Sequence, residues 1–375
     1  MATTPTFTPE EIAALKNDLL SDQLVSIQNE IDAVLNQPIT SCALFDCITE
    51  LNWNKFKILL NLKLTDINSV DSNGNTPLMT AVSRNQIEFI KLLISANANL
   101  NLQNNDKSTA LFLAVHNSEI SKLLINAGAN MNILCINNDT ALRQAIIGNH
   151  INTVKLLIDS GADINIQNVD GNTALTKAVD CGHIKICKLL INAGANINLQ
   201  NNNNSSALHF AIKYSKICKL LIDAGADINI QDCAKCTPLY YATITNGGNI
   251  NSLKLLIKAG ADVNLQNSFG CTALHKATSR KLTDIIEILL DAGAKMDIVD
   301  NGNRSPIFYA NSSDIKNLFE NRVKKNIEIQ RQVSEITQKY SDETAKLQQE
   351  ITNLKAENLA LQSRIKIALE CISQK

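Results

Sequence analysis

The pair Cys233 and Cys236 is the sequence feature with the clearest chemical potential. Two cysteines separated by two residues can supply half of a tetrahedral zinc site, and Cys271 is a third candidate ligand. A fourth ligand is missing, because His275 belongs to a different motif. We therefore predict three partly exposed thiols on loop tips, with no bound zinc and no other cofactor. A metal- or redox-sensing module at these cysteines is the alternative.

Other chemical motifs are missing from the sequence. It contains no glycine-rich phosphate loop, no nucleophile elbow and no paired carboxylates. The carboxylates Asp71, Asp170 and Asp300 are predicted to occupy equivalent turn positions, where their role would be structural. The sequence therefore predicts a protein that is not an enzyme.

Composition excludes further classes. The chain has 375 residues, and 35 Lys+Arg against 36 Asp+Glu give a net charge of −1. No overall field favours nucleic acid or an anionic membrane. No apolar run approaches the roughly 18 residues of a membrane span, and the start does not resemble a secretory signal. The ten cysteines are scattered, as is typical of a reducing compartment. We expect a cytoplasmic protein without nucleic-acid or membrane partners.

One motif recurs along the chain at nearly constant spacing. LLINAGANINLQ begins at Leu189, and its copies begin 31 to 35 residues apart; they start at Leu92, Leu123, Leu156, Leu220, Leu255 and, more loosely, Ile288. A fixed period near 33 residues indicates a repeat array, in which each unit stacks only on its neighbours.

The residues of one copy predict a helix, a turn, a second helix and a projecting loop. The hydroxyl of Thr173 can cap the first helix. The second helix is apolar on most sides, which predicts burial between neighbours. Gly194 follows it, where a left-handed residue ends a helix, and Asn97 fills the same position in an earlier copy. Alternating polar and apolar residues then indicate a short extended arm and a tight turn.

The segment TALTKAVDCGHIKICKLLINAGANIN resembles the ankyrin repeat, whose pattern is approximately TPLHxAxxxGHxxIVxxLLxxGADxN. The resemblance implies an all-α ankyrin-repeat solenoid. It implies repeats over 41–319, divided into a degenerate first repeat (44–74), seven repeats (75–303) and a truncated last one (304–319). In this family the first-helix histidine, here His209 and His275, bonds backbone between repeats. The last Asn of each motif, Asn198 for example, is expected to hold its hairpin through a buried hydrogen bond.

The resemblance also implies a protein-binding scaffold. Ankyrin arrays bind partners on the concave face, through loop tips and first helices. Phe210 and Tyr241 follow the histidine position, Lys276 takes the same place in the next repeat, and Phe269 lies at a loop tip. We predict that these four residues bind an unidentified protein partner. The alternative is that Phe210 and Tyr241 pack between adjacent first helices.

The array is rich in asparagine and resembles those encoded by amoeba-infecting giant viruses. A second functional hypothesis follows from this resemblance. The protein would be a viral or parasite-type adaptor or decoy, located in the host cytoplasm, that recruits host machinery through its non-ankyrin ends.

Both ends are predicted to be helical. Residues 1–40 form the N-terminal segment, with Thr8 as cap and Pro9 in the first turn. Residues 314–372 contain no glycine or proline and predict one continuous helix. Its heptads predict a parallel coiled-coil homodimer over 320–375, with d positions Leu347, Leu354 and Leu361 and a positions Ile351, Asn358 and Ile365. A solvated single helix, or one folded back on the array, is the alternative.

Overall fold

A computed structural model describes residues 24–36, 40–244 and 249–373, with side chains as far as residue 369. All regular secondary structure in these ranges is helical, which confirms the all-α prediction. The predicted helix start at Thr8 and Pro9 lies outside the described residues. The chain divides into two compact units, Met1–Ser268 and Phe269–Lys375.

The described part of the first unit contains a helix, α1, over residues 24–35 and a series of antiparallel helix pairs. The pairs are α2 (Ala43–Glu50) with α3 (Trp53–Asn61), α4 (Pro77–Ser83) with α5 (Ile87–Ser95), α6 (Ala110–Ala114) with α7 (Ser118–Asn126), α8 (Ala141–Ile147) with α9 (Ile151–Asp159), α10 (Ala174–Asp180) with α11 (Ile184–Asn192), α12 (Ala207–Ala211) with α13 (Ser215–Asp223), and α14 (Pro238–Ala242) with α15 (Ile250–Lys258). A short 3-10 turn, Ile136–Asn138, precedes α8.

The second unit contains one further pair and a long helix. α16 (Ala273–Ser279) packs against α17 (Thr283–Asp291), and a 3-10 turn, Pro306–Tyr309, packs against α16. The 61-residue helix α18 (Ser313–Ser373) follows and contacts α17 through its first turns. The predicted continuous C-terminal helix is therefore confirmed.

Local sequence signals explain where the paired helices begin and end. The Thr173 hydroxyl accepts the Thr176 amide at 3.2 Å, which satisfies an otherwise unpaired N–H group in the first turn of α10. After α11, Gly194 has φ +82°, a region where a side chain would clash with its own backbone. Asn97 takes the same left-handed conformation at φ +62°. The predicted cap at Thr173 and the predicted stops at Gly194 and Asn97 are confirmed.

The core is formed by one face of each helix. Leu175 and Val179 of α10 and Ile186 and Leu190 of α11 have exposures of 1 % or less. In the first unit, each first helix packs on its own second helix and on the first helix of a neighbouring pair. The second helices are not buried all round as predicted, because lysines such as Lys188 occupy an exposed outer face.

Six of the described loops are each held by one side-chain oxygen at the base, whereas Cys135 takes this position in the loop over residues 135–139. Asn201 Oδ1 accepts the amides of Asn203 at 3.0 Å and Ser205 at 2.9 Å. The same pair of bonds recurs at Asp71, Asn104, Asn168, Asp232 and Asp300. Asp170 lies two residues later in its loop, at the tip, so the predicted equivalence of Asp71, Asp170 and Asp300 is wrong.

Hydrogen bonds also join consecutive loops of the first unit. The Asn202 amide donates to the Asp170 carbonyl at 3.0 Å, and Asn198 Oδ1 accepts the Asp227 amide of the next repeat at 2.9 Å. Backbone amides of the next repeat donate in the same way to the side-chain oxygens of Asn68, Asn101, Asn132, Asn165 and Asn229. These asparagines therefore link repeats, and the bond of Asn198 is exposed rather than buried as predicted.

A glutamine that ends several motif copies adds a second link. Gln167 Nε2 donates to the Gly171 carbonyl of its own loop at 2.6 Å and to the Gln200 carbonyl of the next at 2.9 Å. Gln103, Gln200 and Gln231 make corresponding pairs of bonds. The loops of this unit are thus fixed at both their tips and their arms.

We predict that Asn198→Ala lowers the free energy of unfolding by about 0.5–1 kcal/mol, because an exposed hydrogen bond between repeats is lost. The measurement is the urea midpoint by circular dichroism. Asn192→Ala is the matched control, since Asn192 lies exposed at the end of α11. Equal midpoints for the wild type and Asn198→Ala would contradict the proposed link.

Candidate partner-binding surfaces

The surface predicted to bind a partner in the first unit contains Phe210 and Tyr241. Phe210 lies on α12 and Tyr241 on α14, one position after the histidine position of each helix. Both side chains are half-buried. The rings of Phe210 and Tyr241 differ in the contacts that hold them in place.

Tyr241 is engaged in contacts within the unit. Its hydroxyl donates to Asp232 Oδ2 at 2.6 Å, and its ring meets the His209 ring edge-on at a centroid distance of 5.6 Å. Burial, and then the hydrogen bond to Asp232, raise the pKa of Tyr241 well above its usual range. Tyr241 therefore joins α14 to α12 and to its own loop. Phe210 makes no such polar contact, since it has no polar atom.

The two first-helix histidines are fixed by backbone groups on both ring nitrogens. His209 Nδ1 accepts the Ser206 amide at 3.1 Å, so Nε2 carries the proton and donates to the Cys236 carbonyl at 3.1 Å. In the second unit, His275 Nδ1 accepts the Thr272 amide at 3.0 Å and Nε2 donates to the Arg304 carbonyl at 3.1 Å. The expected histidine bonds between repeats are confirmed. Burial lowers the pKa of both imidazoles.

Arg143 takes the histidine position in α8 and was not singled out by the sequence. It is 4 % exposed, and its Nη1 donates to the Thr173 carbonyl of the next repeat at 2.9 Å. Its Nε donates to the Asp139 carboxylate. The register of the repeat was the available signal, because Arg143 follows Thr140 as His209 follows Ser206.

In the second unit, Phe269 and Lys276 differ in exposure. Phe269 is 68 % exposed, and Lys276 on α16 is half-buried. Phe308 was not predicted from the sequence as a surface residue. It is 64 % exposed in the 3-10 turn, and the Arg304 guanidinium lies 5.7 Å from its ring centroid. The signal was the match of SPIFYA, from residue 305, to TPLYYA, from residue 237.

The neighbouring Tyr309 repeats the arrangement of Tyr241. Its hydroxyl donates to the Asp300 carboxylate, and its ring lies edge-on to His275 at 6.1 Å. The hydrogen bond to Asp300 raises the pKa of Tyr309 to about 12, and the same bond is the first cause that lowers the pKa of Asp300. A tyrosine–aspartate pair thus fixes a loop in each unit.

The cysteines at the predicted zinc motif lie in unlike environments. Cys233 is exposed, whereas Cys236 is only 8 % exposed, so the expectation of three partly exposed thiols is wrong for Cys236. Cys271, in the second unit, is half-buried, and burial raises the pKa of its thiol. Within the described ranges, no group of three or more His, Cys, Asp or Glu side chains is placed to hold a metal ion.

The predicted coiled-coil residues lie on the exposed part of α18. Ile315 and Phe319 are buried in the second unit, and Arg322 donates to Asp291 Oδ1 at 2.6 Å and to the Leu290 carbonyl. From residue 323 to 369 every side chain is exposed. Leu347, Ile351, Leu354, Asn358, Leu361 and Ile365 all lie in this stretch. The structure brings no other described element over them.

No described helix is both long enough and apolar enough to cross a bilayer. The long helix α18 fails on apolarity, because charged and amide side chains recur along its length.

Comparison with known proteins gives two findings. A family model described as "Ankyrin repeats (3 copies)" matches overlapping segments that begin at residue 12 and end at residue 331. A stretch of 48 residues is 48 % identical to the human (Homo sapiens) transient receptor potential cation channel subfamily A member 1. That stretch covers 13 % of this chain and 4 % of the channel subunit, so the similarity concerns a small part of either protein.

We predict that the unfolding midpoint falls as the pH drops from about 7.5 to 5.5. Below about pH 6.5 the histidines of the unfolded chain bind protons, whereas the buried histidines of the folded chain stay neutral because burial lowers their pKa. The free energy of unfolding therefore decreases as the pH falls through this window. His209→Gln should reduce that pH dependence, as measured by urea denaturation at both pH values. His116→Gln, at an exposed site, is the control. An identical pH dependence for His209→Gln and the wild type would contradict the argument.

Proposed function

Because the chain belongs to the ankyrin-repeat family, we propose that it is a non-enzymatic scaffold that binds a protein partner through its first helices and loop tips. Ankyrin repeats are in general interaction modules rather than enzymes. The observation that carries the proposal is the network of hydrogen bonds within and between the loops. These bonds hold the loop backbone in one conformation while the polar tips stay accessible. Preorganised loops lower the entropy cost of binding.

The contacts refine the set of proposed binding residues. Tyr241 is committed to Asp232 and His209, so we assign it a positioning role for the surface around Phe210. In the second unit, Phe269 and Lys276 remain proposed contacts. Exposed aromatic side chains are enriched among the residues that dominate interface energies. Phe269 is therefore the strongest single candidate.

Self-association through α18 is the second part of the proposal. The d positions Leu347, Leu354 and Leu361 are each more than half exposed, and a parallel partner helix would cover them. Asn358 at an a position favours two strands in register, and Glu350 would face Lys355 of a second chain. The coiled coil would then occupy 320–375 and the repeats 41–319.

The free thiols of the described cysteines support a cytoplasmic location within this proposal, because a reducing compartment keeps thiols free. Cys47, Cys187 and Cys218 are buried core residues with free thiols. Burial raises the pKa of Cys47 and Cys218 to about 11 and that of Cys187 to about 12. Such thiols behave as small apolar side chains and are unreactive.

We predict that Phe269→Ala weakens partner binding by about 1–2 kcal/mol without changing the unfolding midpoint. The partner would first be identified by affinity purification with mass spectrometry, and its affinity then measured by calorimetry. Leu62→Ala is the matched control, because Leu62 is an exposed apolar residue at the end of the second helix α3, outside the proposed surface. Normal binding by Phe269→Ala would remove this residue from the proposed site.

A dimer is the expected species in solution. Leu347→Lys together with Leu354→Lys should return a folded monomer, because charged side chains would be buried at two d positions. Gln349→Lys together with Ala356→Lys adds the same charge at positions outside the seam and should remain dimeric. Light scattering after size exclusion gives the mass of each. A monomeric wild-type protein at tens of micromolar would refute self-association.

A further inference from the structure

From α5 to α15, each second helix carries a lysine at the same position of its outer face. These residues, all exposed, are Lys91, Lys122, Lys155, Lys188, Lys219 and Lys254. On the earlier helices, an acid on the same helix offsets the charge. Lys91 bonds Glu88 at 2.7 Å on α5, α7 carries Glu119, and α9 carries Asp159.

The balance of charge changes over α11, α13 and α15. Each of these helices has an additional lysine: Lys185, Lys216 and Lys258. Together they carry six lysines and one acid, Asp223. Since α13 packs against both α11 and α15, these like charges form one basic patch, which is bounded on one side by α9.

Within the patch, a groove of about 390 Å³ runs between α13 and α15. Its lining residues are Ser215, Lys216, Lys219, Asn251, Lys254, Leu255 and Lys258. Leu255 is half-buried and supplies an apolar surface, to which the aliphatic stems of the lysines add. The groove therefore combines an apolar floor with four ammonium groups.

Few of these ammonium groups are neutralised within the chain. Lys219 bonds Asp223 at 2.7 Å, but both side chains are more than half exposed, so the pair contributes little to stability and can be exchanged. Among the described residues, no ion pair joins Lys216, Lys254 or Lys258 to a carboxylate. Carboxylates from another molecule would relieve the repulsion between them.

We propose that this groove binds an acidic peptide segment of a partner protein, with an apolar side chain between its carboxylates. The site lies on the second helices and is separate from the surface of first helices and loop tips. The apolar floor favours a peptide over nucleic acid, whose backbone would leave Leu255 without a matching contact. The short extent of the patch also disfavours a long polyanion, which gains affinity from each further phosphate it contacts.

The test uses the full chain and a short fluorescein-labelled peptide of alternating leucine and glutamate, with anisotropy as the readout. The set Lys216→Glu, Lys254→Glu and Lys258→Glu should weaken binding about tenfold or more. The neutral set Lys216→Gln, Lys254→Gln and Lys258→Gln should weaken it less. Binding to the wild type should decrease as salt is added.

The matched control is Lys91→Glu, Lys122→Glu and Lys155→Glu, which makes the same change of charge outside the groove. It should leave affinity within about twofold of the wild type. Urea midpoints show that each variant folds. The proposal is overturned if the control set weakens binding equally, if the wild type does not bind the peptide, or if an oligothymidylate or a phosphatidylserine vesicle binds more tightly than the peptide. The Phe269 and coiled-coil variants should leave peptide binding unchanged. The outcome of this test is therefore independent of the scaffold proposal.

Discussion

One side-chain oxygen at the base of each of six described loops sets the geometry on which those repeats depend. Asn201 shows the arrangement, with Oδ1 held by the amides two and four residues later. These two bonds turn the chain so that the following residues can enter a capped first helix and the tip can meet the next loop. The oxygen can belong to an amide or a carboxylate, because in both cases it only accepts. This explains why either Asn or Asp can occupy the position without changing the fold.

Local rules were enough to predict the helices, their caps and their ends from the sequence. Thr173 and Gly194 act on groups within a few residues of themselves, and the period near 33 residues carried those assignments through the array. Bonds between repeats were harder to predict, because they depend on how far one unit is displaced from the next. The link from Asn198 to Asp227 and the ring contact of Tyr241 with His209 both required that displacement. The burial of Cys236 was missed for the same reason, since its neighbours come from the adjacent repeat.

The two faces of the first unit use different physical properties. The loop side combines amides and hydroxyls with acidic side chains such as Asp71, Asp227 and Asp232, whose oxygens accept backbone amides. The outer side is charged and flexible, since long lysine side chains reach water from an apolar base. Steering by charge acts at longer range than hydrogen bonding and weakens with salt. One helix pair can therefore present two surfaces with different charged groups, carboxylates on the loop side and ammonium groups on the outer side.

The manner in which α18 begins has a mechanical consequence. Its first turns are part of the core of the second unit, through Ile315 and Phe319, and the same helix continues without a break for a total of about 90 Å. An uninterrupted helix bends little over such a length, so it acts as a lever whose pivot is the contact with α17. A sideways force at the far end would produce a larger force at that pivot, where Arg322 donates hydrogen bonds to Asp291 and to the Leu290 carbonyl. The last helical repeat is thus the part of the molecule that would bear the load.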